Sequence, residues 1–175
     1  MNSIILIGFM GAGKTTIGHA LAKCLDMQFY DLDWYIEMRF HRTVAQIFEE
    51  RGEEGFREIE HNMLHEVAEF ENVIISCGGG TPCFFDNMEY MNSLCNTVYL
   101  KASPEVLAAH LKMGKVVRPL IAGKNEEELT DYIRETLTKR EPYYMKAKHI
   151  MDVNLLNSKE RVEDSITLLR ETLGI

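Results

Sequence analysis

No stretch of this 175-residue chain approaches the about 18 consecutive apolar residues that a membrane span requires. The apolar start Ile4–Met10 also has neither the length nor the basic flank of a secretory signal. A membrane anchor is therefore not expected, and a reducing, cytoplasmic setting is. Basic charge is scarce as well, with 19 Lys and Arg against 27 Asp and Glu and a net charge of -8. That excess of acid argues against a sequence-independent grip on nucleic acid or an anionic membrane, so any anionic ligand must be held by a local concentration of cations. The four cysteines, Cys24, Cys77, Cys83 and Cys95, form no CxxC pair and have no histidine at zinc spacing. Neither a disulfide framework nor a structural zinc is indicated, and all four are expected as small core or site-lining residues. Prolines are few, at positions 82, 104, 119 and 142, and all lie outside the strand-like stretches. Repeats and low-complexity tracts are absent, and the length suits a single domain over residues 1–175.

What is present is a regular alternation. Short apolar runs at Ser3–Ile7, Gln28–Leu32, Asn72–Ser76, Thr97–Leu100 and His149–Val153 have the length and composition of parallel strands covered on both faces. Helical patterns lie between them. Ile17, Ala20, Leu21, Cys24 and Leu25 mark one amphipathic face over Lys14–Leu25. Thr43 is placed to cap Val44–Glu50, and Gly52 to stop it before a second helix over Glu53–Phe70. Ser103-Pro104-Glu105 opens a helix to about Leu111, Asn125 followed by three glutamates opens another, and Asn157 with Glu160 starts a last one reaching about Leu173. Alternating strands and helices predict an α/β fold, a doubly wound parallel sheet with helices on both faces. Ligands in such sheets bind at the carboxyl ends of the strands.

Gly8-Phe9-Met10-Gly11-Ala12-Gly13-Lys14-Thr15 satisfies G-x-x-x-x-G-K-[ST], directly after a predicted strand and before a predicted helix. In that context the backbone N–H groups cradle phosphate, Lys14 reaches the β/γ-phosphates and the Thr15 hydroxyl ligates Mg²⁺. Asp31 and Asp33 end the second predicted strand, two residues apart and so on one side of it. One carboxylate suits magnesium through its waters and the other a substrate hydroxyl and its proton; the plainer alternative is a solvated strand end with Asp33 capping a helix. Arg57 and Glu60 stand three apart on a helix, either fixing the guanidinium for a carboxylate ligand or forming an ordinary surface ion pair. His61 and His65 have Asn62 between them where a zinc-protease motif needs Glu, so they are expected as solvent-flank histidines. Gly78-Gly79-Gly80 after an apolar strand suggests a substrate laid against the main chain. Arg140 continues the apolar stripe of Leu129, Ile133 and Leu137, a buried-side arginine that needs a partner. Val106–Asn125 holds Lys112, Lys115, Arg118 and Lys124 and no acid, which reads as a cationic flap closing over phosphates, or else as a basic loop balancing Glu126–Glu128.

Taken together, in order and at this length, these residues resemble the shikimate kinases: the GxxGxGKT loop, Asp31 and Asp33, Gly52-Glu53 leading to Phe56-Arg57 and Glu60, the triple glycine, Arg118-Pro119-Leu120-Ile121, and Arg140 with Tyr144. The resemblance implies a three-layer P-loop kinase fold whose five parallel strands run in the order 2-3-1-4-5, with a substrate-binding helical region at about 33–61 and a lid at about 112–124. It implies ATP-dependent phosphorylation of the 3-hydroxyl of shikimate with Mg²⁺. ATP would lie on Gly11, Ala12, Gly13, Lys14, Thr15, Thr16 and Arg118. Shikimate would lie on Asp33, Arg57, Gly79, Gly80 and Arg140, the two arginines clamping its carboxylate. Lys14, Asp33 and Arg118 would be catalytic, with Thr15 and Asp31 at the magnesium. The family often stacks adenine on an arginine about seven residues before the lid arginine; Leu111 stands there, between His110 and Lys112.

Two rival readings remain. One is another small-molecule kinase on the same scaffold, such as a gluconate or nucleoside monophosphate kinase, which would want stacking and amide contacts if its acceptor were a nucleotide. The other is a nucleotide-dependent binding module without turnover, which has no need of an acid beside an acceptor pocket. A monomer is expected, since the assigned core leaves no long apolar stripe.

Overall fold

The computed structural model describes residues 3–114, 122–154 and 159–175. Its centre is built from β1 (Ile4–Ile7) and β3 (Val73–Ser76), whose every residue is buried. Successive strand residues point to opposite faces, so unbroken burial means both faces are covered. Each isoleucine buried there contributes about 1.5–3 kcal/mol. β2 (Gln28–Asp31), β4 (Asn96–Lys101) and β5 (His149–Asp152) complete an all-parallel sheet in the order β2-β3-β1-β4-β5. The two edge strands, β2 and β5, are only partly buried, as their position dictates. This is the expected α/β architecture and strand order, with strand ends shifted by a residue.

Helices fill the crossovers: α1 (Lys14–Leu25), α2 (Leu32–Phe40), α3 (Val44–Ala68), α4 (Asn87–Leu94), α5 (Pro104–Met113), α6 (Glu126–Tyr144) and α7 (Lys159–Leu173). Their starts follow local chemistry. Thr43 and Gln46 form a reciprocal capping box at α3, Asn125 and Glu128 another at α6, and Ser103 accepts from the Val106 N–H at α5. Gly52 acts as the expected stop: at φ 69°, ψ -177° it is non-helical, and α3 consists of two helical stretches that meet there at a kink. α5 runs to Met113 rather than Leu111. Asn157, the expected cap of α7, lies outside the described residues.

Three expectations need correction. The second strand stops at Asp31, and Leu32 already belongs to α2, so Asp33 stands in a helical first turn and not at a strand end. The cap of that helix is Asp31, whose Oδ1 accepts from the Trp34 N–H at 3.2 Å. The cysteines divide: Cys77 and Cys95 are buried and Cys83 is half-buried, but Cys24 is exposed on α1.

Candidate active site

The loop between β1 and α1 turns back on itself through Gly13, held at φ 91° as the residue before α1. A side chain in that left-handed conformation would cost about 1–2 kcal/mol. No side chain caps α1, so its first N–H groups are left to an anion. Lys14 Nζ donates to the carbonyls of Gly8 at 2.8 Å and Phe9 at 3.0 Å, which folds the ammonium over the loop. Gly11, Gly13, Lys14, Thr15 and Thr16 line a cleft of about 470 Å³, closed on other sides by Asp31, Asp33, Gly78, Gly79, His110 and Met113. Ala12 is the exception among the expected ATP residues. Its side chain is buried in the core, and its N–H donates within the loop to Phe9 O at 3.2 Å.

Asp31 and Asp33 both reach this cleft, although by a strand-to-helix step and not by strand alternation. With the Thr15 hydroxyl they form an all-oxygen donor set of the kind magnesium takes, and Asp31 still has one carboxylate oxygen beyond its cap bond. Burial, followed by the charges of Asp31 and Glu60, raises the Asp33 carboxyl from 3.8 to about 6, with Lys14 opposing. Its proton affinity is thereby tuned toward neutrality.

Beyond the triple glycine lies the arginine pocket. Arg57 and Glu60 are buried partners on α3, Nη1 to Oε1 at 2.8 Å, with side-chain exposures of 11% and 1%, so this is no surface ion pair. Thr81 Oγ1 donates to the other Glu60 oxygen at 2.7 Å, and Asn87 Nδ2 donates to Thr81 O at 2.8 Å. The guanidinium also lies over the Phe84 ring, 4.2 Å from its centroid. Arg57 Nε is buried and donates to nothing among the described residues. Such an orphaned donor is worth about 1–3 kcal/mol to whatever accepts from it. At Gly80 an added Cβ would sit 2.5 Å from Arg57 Nη2, so any side chain there would push the guanidinium from its place. Gly78 lies between the two halves of the site, its Cβ position 3.3 Å from both Asp33 Oδ1 and Glu60 Oε2.

Arg140 comes from α6 to the same turn, with Nη1 3.0 Å from the Cβ position of Gly79 and its guanidinium 5.8 Å from the Phe9 centroid. Among the described residues no carboxylate pairs with it; its neighbour is the Tyr144 hydroxyl, which in turn donates to Gly79 O. Arg57, Arg140 and Gly80 thus stand just behind the cleft wall formed by Gly78 and Gly79. Thr81, Phe84 and Asn87 escaped sequence reasoning because their roles depend on partners up to 27 residues away.

The cationic flap is only partly in view. Arg118 and Lys115 lie outside the described residues. Lys112 pairs with Glu126 Oε2 at 2.7 Å and Lys124 lies over the Tyr132 ring, so these two cations are engaged by α6 and not by the cleft. Leu111, in the place of the adenine-stacking arginine, packs against Gly11, while its neighbour His110 faces the cleft and contacts Gly11 O at 2.9 Å. His61 and His65 are not solvent-flank residues. Both are half-buried, His65 stacked on Tyr90 and His61 tilted against Phe85.

Comparison with known proteins identifies the family and the fold. The sequence matches the shikimate kinase family pattern over residues 10–170. It is 57% identical over 174 residues to the shikimate kinase of Phocaeicola vulgatus, covering 99% of each chain. The crystal structure of shikimate kinase from Bacteroides thetaiotaomicron superposes with a TM-score of 0.97 at 53% identity, covering 99% of each chain. That from Acinetobacter baumannii in complex with shikimate superposes with a TM-score of 0.85 at 31% identity, covering 99% of this chain and 94% of that one. Matched along nearly its whole length in sequence and in fold, the chain belongs to the shikimate kinase family.

Proposed function

We propose that the protein transfers the γ-phosphoryl group of ATP to the 3-hydroxyl of shikimate. The observation that carries this reading is the buried, unpartnered Nε of Arg57 beside Arg140, across Gly78 from the tuned carboxyl of Asp33. Two guanidinium groups suit a carboxylate and one acid suits a hydroxyl, which is the pattern of a hydroxylated carboxylic acid. Neither stacking nor amide contacts of a nucleotide-acceptor site replace it among the described residues. A non-catalytic module would gain nothing from burying Asp33 at the price of its ionisation.

ATP lies along the β1–α1 loop, its phosphates on the N–H groups of Gly11 and of Gly13 to Thr16 and on Lys14. Magnesium, held by Thr15 and Asp31, would neutralise charge on the β- and γ-phosphates. Arg57 and Arg140 fix the acceptor by its carboxylate, and Gly79 and Gly80 allow its ring to approach the main chain. Asp33 accepts the hydrogen bond of the acceptor hydroxyl. As the new oxygen–phosphorus bond forms, Asp33 takes the proton and the bond to the β-phosphate oxygen breaks, releasing ADP. Lys14 stabilises the transferring oxygens, joined by Arg118 from the lid. We further infer a cytoplasmic monomer with no nucleic-acid or membrane partner. The net charge of -8 and the lack of any helix among the described residues long and apolar enough to cross a membrane support this reading.

A coupled ADP-release assay tests the reading. Release stimulated by shikimate is expected; stimulation by gluconate or a nucleoside monophosphate alone would point to another kinase, and none by any acceptor to a binding module.

A further inference from the structure

Away from the cleft, His61 and His65 stand one turn apart on α3, and the residue before α4, Asp86, comes against them. One ligand atom from each of the three lies within 4.8 Å of the other two. His61 Nδ1 is 4.0 Å from Asp86 Oδ1, and the two imidazole centroids are 4.2 Å apart.

Two observations mark these groups as unspent. His65 Nε2 is buried and has no hydrogen-bond partner among the described residues, although its ring is fixed flat on Tyr90 at 3.5 Å and 10°. A buried nitrogen in that condition costs about 1–3 kcal/mol unless something coordinates it. Asp86 occupies the N-cap position of α4, yet its carboxylate makes no capping hydrogen bond and is 71% exposed. His61 makes one competing contact, Nδ1 to Asn87 Oδ1 at 2.6 Å.

We propose that His61, His65 and Asp86 form a binding site for a divalent transition-metal ion, with Zn²⁺ the best match. Two imidazoles and one carboxylate suit zinc, copper or nickel and are a poor set for magnesium or calcium, which take oxygen. Histidines at i and i+4 put both rings on one helical face. Tetrahedral zinc holds its donor atoms about 3.3 Å apart, so donor atoms that now lie up to 4.8 Å apart have to close by up to about 1.5 Å. The exposed Asp86 side chain is free to make that movement, and water completes the shell. Binding exchanges the His61–Asn87 hydrogen bond for a metal bond. None of the three ligands lines the kinase cleft, although Asn87, the present partner of His61, also donates to Thr81 behind it.

Zn²⁺ is titrated into the full chain against a chromophoric chelator at pH 7.5, without nucleotide. One saturable equivalent is expected, weakened at least tenfold in His65→Ala and in Asp86→Asn and unchanged in His19→Ala, which removes a distant histidine packed at a tilt against Phe29. Asp86→Asn keeps the test open should His65→Ala fail to fold. Absence of a saturable equivalent, or an affinity unchanged in Asp86→Asn, overturns the proposal.

Discussion

Asp33 is caught between burial, which favours its neutral form, and Lys14, which favours the charged one. Burial prevails, and the carboxyl rests at about 6 instead of 3.8. Only the ionised form can accept the hydroxyl proton, so kcat/KM for shikimate is expected to rise with pH through about 6 and level off above it; a nearly flat profile from pH 4.5 to 8 would contradict this. The effect on stability has the opposite sign. A carboxyl whose folded-state value exceeds its unfolded one destabilises the fold once ionised, a cost present above about 6 and gone below about 4. Asp33→Asn is therefore expected to lower kcat at least about 100-fold while raising Tm by a few degrees at pH 7.5, measured by the coupled assay and thermal melts. A lowered Tm would show that the ionised carboxylate stabilises the fold. A second residue, Thr81, acts through Glu60. Thr81→Val leaves a buried carboxylate oxygen without its donor and is expected to raise the KM for shikimate about tenfold, with kcat changed much less.

At the level of elements, what a short window contains was legible and what depends on distant packing was not. The phosphate loop, the helix caps Thr43 and Asn125 and the buried central strands are local patterns, and each was readable from the residues that form it. α4 was not, because Asn87–Leu94 spans two turns and only Met88 and Met91 of its apolar residues are buried, too few to show a period. The same limit hid α2: Asp31 and Asp33 fit strand alternation as well as they fit a cap and a first turn. Arg57–Glu60 could be paired from spacing, but its burial comes from Thr81 and Phe84 far along the chain. Two outcomes belong to this scale. Thr43→Ala removes half of the capping box and is expected to destabilise the fold by about 1 kcal/mol in denaturant melts, with kcat unaltered. Lys112→Ala breaks only an exposed pair with Glu126 and is expected to change the KM for ATP less than twofold, whereas Arg118→Ala cuts kcat by at least an order of magnitude.

Over the whole molecule, the sign of the charge separates surface from site. The chain is acidic overall, yet Lys14, Arg57 and Arg140 converge on one end of the sheet, beside β1, β2 and β3. A parallel sheet makes that convergence possible, because its strands deliver loops from distant parts of the sequence to a common edge. The large apolar side chains that remain exposed, such as Trp34, Leu94 and Leu168, come from different elements, and light scattering is expected to report a single 20.1 kDa chain. The central claim is that this acidic protein reads its acceptor by the carboxylate, through Arg57 and Arg140. It is tested most directly by comparing kcat/KM for shikimate with that for its methyl ester, in the native protein and in Arg57→Ala. Two charge-assisted contacts of about 1.5–3 kcal/mol each predict that the native protein prefers the acid by about 100-fold or more, and that Arg57→Ala loses most of this preference. Equal turnover of acid and ester by the native protein, or an undiminished preference in Arg57→Ala, would contradict the account.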